Sequence, residues 1–467
     1  MNFITKMNER IDSGTMHTER STTPRASQVK RNVIMVSDLM ARDFPPAVRP
    51  FWENMPGTDP QLRLATTLAA TVCYCGLSPR LRVKYTYDLA HSMLLLNLLC
   101  IGSSGSGKSI IRWVVNLLMN EQIMRDQNER RKLREYKEAS RRKGANKDKG
   151  EEPLVAIRFL QKFTLPVIVK YADLIHRRYD DWLSFFLFGD ELAAFTENRR
   201  GNGDFQAVAR TAYALGETYS RDTLYQDGYN AMVDIDWCSV MCGQEQALEK
   251  YIDKNGIVQG DAGRQILVKL NDNIGEDAPT IRPLTERQTR EINQTVSQLM
   301  RETFTDDDQL MPTHEVDMSW LDKDVKAWCN RTREQILKTG SRAMDSFYVR
   351  ASVSSFRLAT MLYHLWGENP AKQQPVRRCY HAFAQMILDN SMAQWGQEYE
   401  NAMPKSKESA DKKPTLYDLM PKRWTRDMLR DMTAKEGIGT PARIFIFKWL
   451  KKKWIYEVEK DVYEKIY

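Results

Sequence analysis

The feature that most constrains the fold is a junction between residues 93 and 118, where an apolar run meets a glycine-rich loop and then a helix. Met93 to Ile101 is apolar except for Asn97. A run of that kind suits a central strand of a parallel sheet, buried on both faces. The loop Gly102-Ser103-Ser104-Gly105-Ser106-Gly107-Lys108-Ser109 follows, and Ile110 to Leu118 has helical apolar spacing. The pattern GxxxxGK[ST] has a mechanism. Glycines let the backbone wrap phosphates with successive N–H groups pointing inward, and the following helix offers its N-terminus to the negative charge. Lys108 is expected to reach the β- and γ-phosphates of ATP, and the Ser109 hydroxyl to hold Mg²⁺.

Other candidate residues lie at the ends of later apolar runs. Phe185 to Gly189 reads as a second buried strand, ending at Asp190-Glu191. Asp190 is expected to hold Mg²⁺ through its water shell, and Glu191 to orient and deprotonate the attacking water. Trp237 to Gly243 reads as a third strand, with Gln244 at its tip as a γ-phosphate sensor. Gln265 to Leu270 reads as a fourth. Arg264, just before it, is a candidate finger completing a neighbouring subunit's site, with Arg221 as its rival. Phe163 to Val169 reads as an edge strand, because Pro166 argues against a central place.

Around these pieces the 467 residues imply about three domains. Residues 1–45 read as a polar, mobile tail. Pro45 to Pro60 is a proline-punctuated entry, and Leu62 to Tyr74 an apolar helix. Residues 46–283 form the expected α/β core. The charged stretch Glu121 to Glu152 is read as a solvated helical excursion and, from Gly144, an exposed loop. The alternative is a DNA-facing basic arm. Residues 284–403 are expected to be a helical domain, with helices at Glu286–Phe304, Asp322–Lys338, Tyr348–Trp366 and Val376–Asn401. Residues 404–415 read as a charged linker.

The last unit, 416–467, resembles a winged helix. Trp424-Thr425 opens a helix through Ala434, with Thr425 as N-cap. Pro441 starts a second helix running to Lys453, anchored by Ile444, Phe447, Trp449 and Leu450. Trp454–Val458 and Val462–Ile466 are expected to pair as a hairpin. Arg443, Lys448, Lys451, Lys452 and Lys453 suggest phosphate contacts from the second helix. The basic stretch Arg125 to Lys149 is the second DNA-binding candidate. A net charge of +8 is compatible with an acidic partner.

The seven cysteines are scattered through apolar segments without zinc-knuckle spacing, and read as small buried hydrophobes in a reducing cytoplasm. The six histidines are equally dispersed. The longest apolar run is far short of the ~20 residues a spanning helix needs, so no membrane partner is expected.

The order of the pieces resembles a domain-of-unknown-function family of helicase-like P-loop proteins from bacterial mobile elements and prophages, often fused to or beside primase-type domains. The resemblance covers roughly Asp59 to Met403. It is carried by Leu77-Ser78-Pro79, Tyr87 to Asn97, GSSGSGKS, FGDE, the strand ending Cys242-Gly243-Gln244, GDAGRQILV, and the helix FYVRASVSSFRLATMLYHLW. The family's third strand usually ends Ser-Gly-Thr, and its last arginine is usually followed by Phe where this chain has Gln265.

The fold expected is therefore a three-layer P-loop NTPase core of the RecA/AAA+ kind, a helical domain and a C-terminal winged helix. The resemblance implies NTP-driven activity on DNA. That activity would be an oligomeric motor or helicase serving replication or mobilisation of a mobile element, with partner proteins from the same element. The alternative is a DNA-bound ATPase switch, a transposition or target-selection helper that does not unwind DNA. A regulator with a degraded NTPase fold is disfavoured by the intact Lys108, Ser109, Asp190 and Glu191.

Overall fold

The computed structural model describes residues 34–54, 59–142, 150–193, 205–213, 218–221, 231–272, 279–402, 416–451 and 454–465. The chain divides into two compact units, Met1–Ala402 and Met403–Tyr467. The first unit's strands are β1 (Leu81–Arg82), β2 (Asn97–Ile101), β3 (Phe159–Leu160), β4 (Phe185–Gly189), β5 (Thr218–Arg221), β6 (Ala231–Asp234), β7 (Trp237–Gly243), β8 (Ile266–Lys269) and β9 (His314–Glu315).

Five of them form one parallel sheet in the order β3-β4-β7-β2-β8. Every residue of β2, β4 and β7 is buried. That is why these segments read as continuous apolar runs rather than as alternating ones. Only Asn97–Ile101 of the run Met93–Ile101 is strand. Asn97 is tolerated inside the sheet because its side-chain oxygen accepts a hydrogen bond from the Ser239 hydroxyl of the adjacent β7 at 2.7 Å. The helix Pro60–Leu77 packs against β2, β4, β7 and β8. Its first turn is capped by Asp59, whose carboxylate accepts from the N–H groups of Gln61 and Leu62.

The edge of the sheet departs from the sequence reading. Phe163–Val169 is not a strand: residues Leu165–Tyr179 form a helix, with Pro166 in its first turn. Proline lacks the N–H that a first helical turn leaves unbonded anyway, so it starts this helix rather than marking an edge strand. The true edge strand is the two-residue β3. It is closed off by the helix Asn120–Arg142, which is more than the solvated excursion that its charge pattern suggests. Gln122, Asp126, Glu129 and Leu133 are buried on one face of that helix. The Asp126 carboxylate accepts hydrogen bonds from the backbone N–H groups of Arg158 at 3.0 Å and Phe159 at 2.6 Å. A strand edge otherwise open to further pairing is thereby blocked. The Arg158 guanidinium, itself fully buried, donates to the carbonyls of Ser184 and Gly76 and to the Gln122 side chain. Burial pushes the Asp126 carboxyl up to about 6 against these hydrogen bonds, and pulls Arg158 down to about 10.

The expected boundary between 283 and 284 falls inside the first unit. The helices Glu286–Thr303, Asp322–Thr339, Arg342–Leu365 and Gln373–Ser391 are present. They are fastened to the sheet layer: Arg357 donates to the Leu95 carbonyl and Asn390 to the Leu267 carbonyl, each at 2.8 Å. Helical periodicity marks the change of element type but not a change of domain. Among the described residues, no helix is long and apolar enough to cross a membrane. Residues 1–33 and the linker 404–415 lie outside the described residues.

The second unit has the short helix Leu416–Leu419, β10 (Arg423–Thr425), helices Arg426–Lys435 and Ala442–Lys451, β11 (Ile455–Glu459) and β12 (Val462–Lys465). Its antiparallel sheet runs β10-β12-β11. The hairpin of β11 and β12 is legible in the sequence; β10 is not. Thr425 does cap the following helix, accepting from the Met428 N–H. The core contains Trp424, Leu429, Ile446, Trp449, Ile455 and Tyr463. Of the four anchors expected on the second helix, only Trp449 is buried; Ile444, Phe447 and Leu450 are exposed.

Candidate active site

Because the sheet is parallel, the chain leaves β2, β4 and β7 on the same edge, and the segments after these strands meet there. The loop after β2 is fastened to the neighbouring strand by the Gly102 N–H, which donates to the Gly243 carbonyl at 3.0 Å. Gly107 has φ +90° and precedes the helix Lys108–Leu118. That left-handed conformation is what demands glycine; a Cβ there would also press on the end of the Leu62 side chain at 2.7 Å. The Lys108 ammonium lies folded over the loop, donating to the carbonyls of Gly102 and Ser103 at 2.6 Å each. Ser106 is fully buried under the loop, with its hydroxyl unpaired.

After β4 the chain turns through Asp190 and Glu191, both exposed. The turn is anchored by the Leu192 N–H, which donates to the Cys242 carbonyl of β7 at 2.7 Å. Leu192 is accommodated because Gly243 has no side chain: a Cβ at Gly243 would come within 2.6 Å of the Leu192 Cβ. Gln244 then opens the helix Glu245–Tyr251. Ser104, Gly105, Gly107, Lys108, Ser109, Asp190, Glu191 and Gln244 consequently line one cleft of about 460 Å³, together with Arg112 and Pro279. Sequence reasoning misses Arg112. It stands four residues after Lys108, one helical turn on and on the same face, and its guanidinium pairs with Asp190 at 2.8 Å. That spacing is the signal the sequence offers for it.

Arg264 is placed elsewhere. It precedes β8, and β8 runs parallel to β2 with Ile266 opposite Leu98, so Arg264 lies at the opposite edge of the sheet from the loop. It donates to the Gly260 carbonyl at 2.8 Å and sits beside Tyr213 with Arg350 and Arg357. Burial, then the neighbouring Arg350 charge, depress its pKa. The Arg221 side chain lies outside what is described.

The two basic candidates fare differently. In the stretch Arg125 to Lys149, Arg125 is committed to Tyr179 and Asp308 and Arg130 to the Phe159 carbonyl. Arg134, Lys137, Arg141 and Arg142 are exposed, and residues 143–149 lie outside the described residues. In the second unit Arg443, Lys448 and Lys451 are exposed on one helix, while Lys452 and Lys453 lie outside the described residues. All seven cysteines are buried and unpaired by disulfides. No family model matches the chain, and no curated protein matches it.

Proposed function

We propose that the chain is a Mg²⁺-dependent nucleoside triphosphatase with a P-loop core, and that its hydrolysis serves work on DNA. The observation that supports this reading most is the convergence of Lys108, Ser109, Asp190, Glu191 and Gln244 on one cleft, from the ends of three parallel strands. The loop's glycine geometry, the start of an eleven-residue helix and a lysine ammonium suit a triphosphate. In this reading Lys108 exchanges its two loop carbonyls for β- and γ-phosphate oxygens. Ser109 and Asp190 hold the cation, and Glu191 orients a water and takes its proton. Mg²⁺, when bound, offsets phosphate charge. Arg112 keeps the Asp190 carboxylate turned into the cleft.

The DNA half of the proposal rests on the second unit. Its order of helix, strand, two helices and hairpin is read as a winged helix, and the exposed Arg443, Lys448 and Lys451 suit a phosphate backbone. ATP turnover by the full chain, with and without single- and double-stranded DNA, tests both halves. Turnover stimulated by DNA and absent in Lys108→Ala is the expected result. Turnover that survives in Lys108→Ala sinks the cleft assignment. Strand displacement then separates a motor from a DNA-bound switch.

A further inference from the structure

We propose that His314, His364 and Glu368 form a zinc site, separate from the cleft, with Glu302 orienting one of its ligands. His314 lies on β9, His364 in the last turn of the helix Arg342–Leu365, and Glu368 just beyond that helix. One ring nitrogen of each histidine and a carboxylate oxygen of Glu368 all lie within 4.8 Å of one another. Ligands held about 2.0–2.1 Å from a zinc ion need only small side-chain rotations from that spacing.

The hydrogen-bond arrangement calls for a cation. His364 Nε2 is 2.9 Å from Glu302 Oε2, and a carboxylate can only accept, so this nitrogen carries the proton. In the neutral ring the other nitrogen, Nδ1, then presents a lone pair. It faces Glu368 Oε1 at 2.9 Å, which also presents lone pairs. His314 Nε2 approaches the same oxygen at 2.5 Å. Two imidazoles thus converge on one carboxylate oxygen, and with Glu368 ionised an added proton or a cation must lie among them. Protons can supply it: burial works against an imidazolium at His364, but its hydrogen bonds to Glu302 and Glu368 outweigh burial and raise its pKa. One divalent ion supplies the charge with neutral rings, once the side chains rotate apart from these hydrogen-bond distances to metal-bound spacing.

The surroundings are those of a metal site. A metal-bound histidine characteristically gives its remaining N–H to a carboxylate, which fixes the ring and its tautomer; Glu302 stands in that position. Glu368 is held in place by its backbone, its N–H donating to the Tyr363 carbonyl and its own carbonyl accepting from the Tyr363 hydroxyl at 2.8 Å. Two imidazoles and one carboxylate are a zinc donor set that leaves a fourth position open. The ligands and Glu302 come from the helix Glu286–Thr303, from β9 and from the end of the helix Arg342–Leu365, so the ion would tie three segments together.

The test uses the full chain without an affinity tag. Equilibrium dialysis against Zn²⁺ is expected to give one equivalent bound, and Co²⁺ to give visible ligand-field bands displaced by Zn²⁺. His314→Ala removes a half-exposed ligand, and Glu368→Gln preserves side-chain shape; both are expected to abolish the bands and the rise in Tm that Zn²⁺ gives the wild type. Melting of each variant in EDTA, compared with wild type in EDTA, establishes that it is folded. Glu302→Gln is expected to bind the ion about 10–100-fold more weakly. No Co²⁺ bands and no Zn²⁺-dependent Tm shift in the wild type would overturn the proposal, leaving a proton-held cluster. Binding that persists unchanged in both His314→Ala and Glu368→Gln would overturn it equally, by placing the ion elsewhere.

Discussion

The Arg112 guanidinium and the Asp190 carboxylate meet at 2.8 Å across the mouth of the cleft. They come from different elements, the helix after the glycine-rich loop and the turn after β4. Each side chain is about half exposed, at 53% and 52%. A pair so open to water contributes little to stability, at most about 1 kcal/mol. Its consequence is positional: a neighbouring positive charge holds the carboxylate proposed to bind the cation in the cleft that it lines with Lys108 and Ser109.

Arg112→Ala is therefore expected to change unfolding free energy by no more than about 1 kcal/mol. It should also raise the Mg²⁺ concentration needed for half-maximal turnover, because the Asp190 carboxylate loses the partner that positions it at the cleft. Urea unfolding and a Mg²⁺ titration of ATPase activity check the two halves. An unchanged or lower Mg²⁺ requirement would contradict the role given to the pair.

Glu191→Gln should bind ATP as the wild type does and hydrolyse it at least about 100-fold more slowly, since an amide cannot take the water's proton. Nucleotide binding by fluorescence and single-turnover hydrolysis separate these effects. Loss of binding in the variant would make Glu191 a structural residue of the turn.

Asp126→Asn tests the buried edge of the sheet. In the folded chain Asp126 titrates at about 6, above its ordinary 3.8, because burial disfavours its charge. The native state therefore holds this proton more tightly than the unfolded chain. Its stabilising contribution is complete below pH 3.8 and is lost as pH rises to about 6. The stability of the wild type relative to Asp126→Asn should fall over that window, by on the order of 2–3 kcal/mol, and stay flat above it. Urea unfolding of both proteins between pH 4 and 7.5 measures the difference. A difference that is constant with pH would show that Asp126 stays ionised in the folded chain.

Removing 403–467 should weaken DNA binding while sparing basal ATPase activity, because the first unit is compact without those residues. Every phosphate that the truncated protein no longer neutralises should make the log–log salt dependence of duplex binding shallower by about 0.9. Lys448→Ala with Lys451→Ala should give a shallower slope in the same sense. If affinity and slope both survive truncation, the exposed residues Arg134, Lys137, Arg141 and Arg142 become the candidates to mutate next.

The sequence alone determined what is local or buried on every side. The glycine-rich loop, the strands Phe185–Gly189 and Trp237–Gly243 and the acidic turn between them were legible, because a strand covered on both faces must be apolar throughout and a loop with positive φ at Gly105 and Gly107 needs glycine there. Tertiary structure decided whatever depends on partners distant in the chain. Pro166 is compatible with an edge strand or a helix start, and only packing chose the helix. Charged residues at 120–142 read as solvated because nothing local shows that Asp126 finds the N–H groups of Arg158 and Phe159. Arg264 precedes β8, and only the direction of that strand shows that it lies at the far edge of the sheet from its own chain's glycine-rich loop. His314 and His364 are separated by a long stretch of chain, so no spacing rule joins them; they meet because β9 pairs with β1 and a helix ends beside it. Local pattern reports how a segment meets water, whereas a site assembled from several segments exists only once the chain has packed.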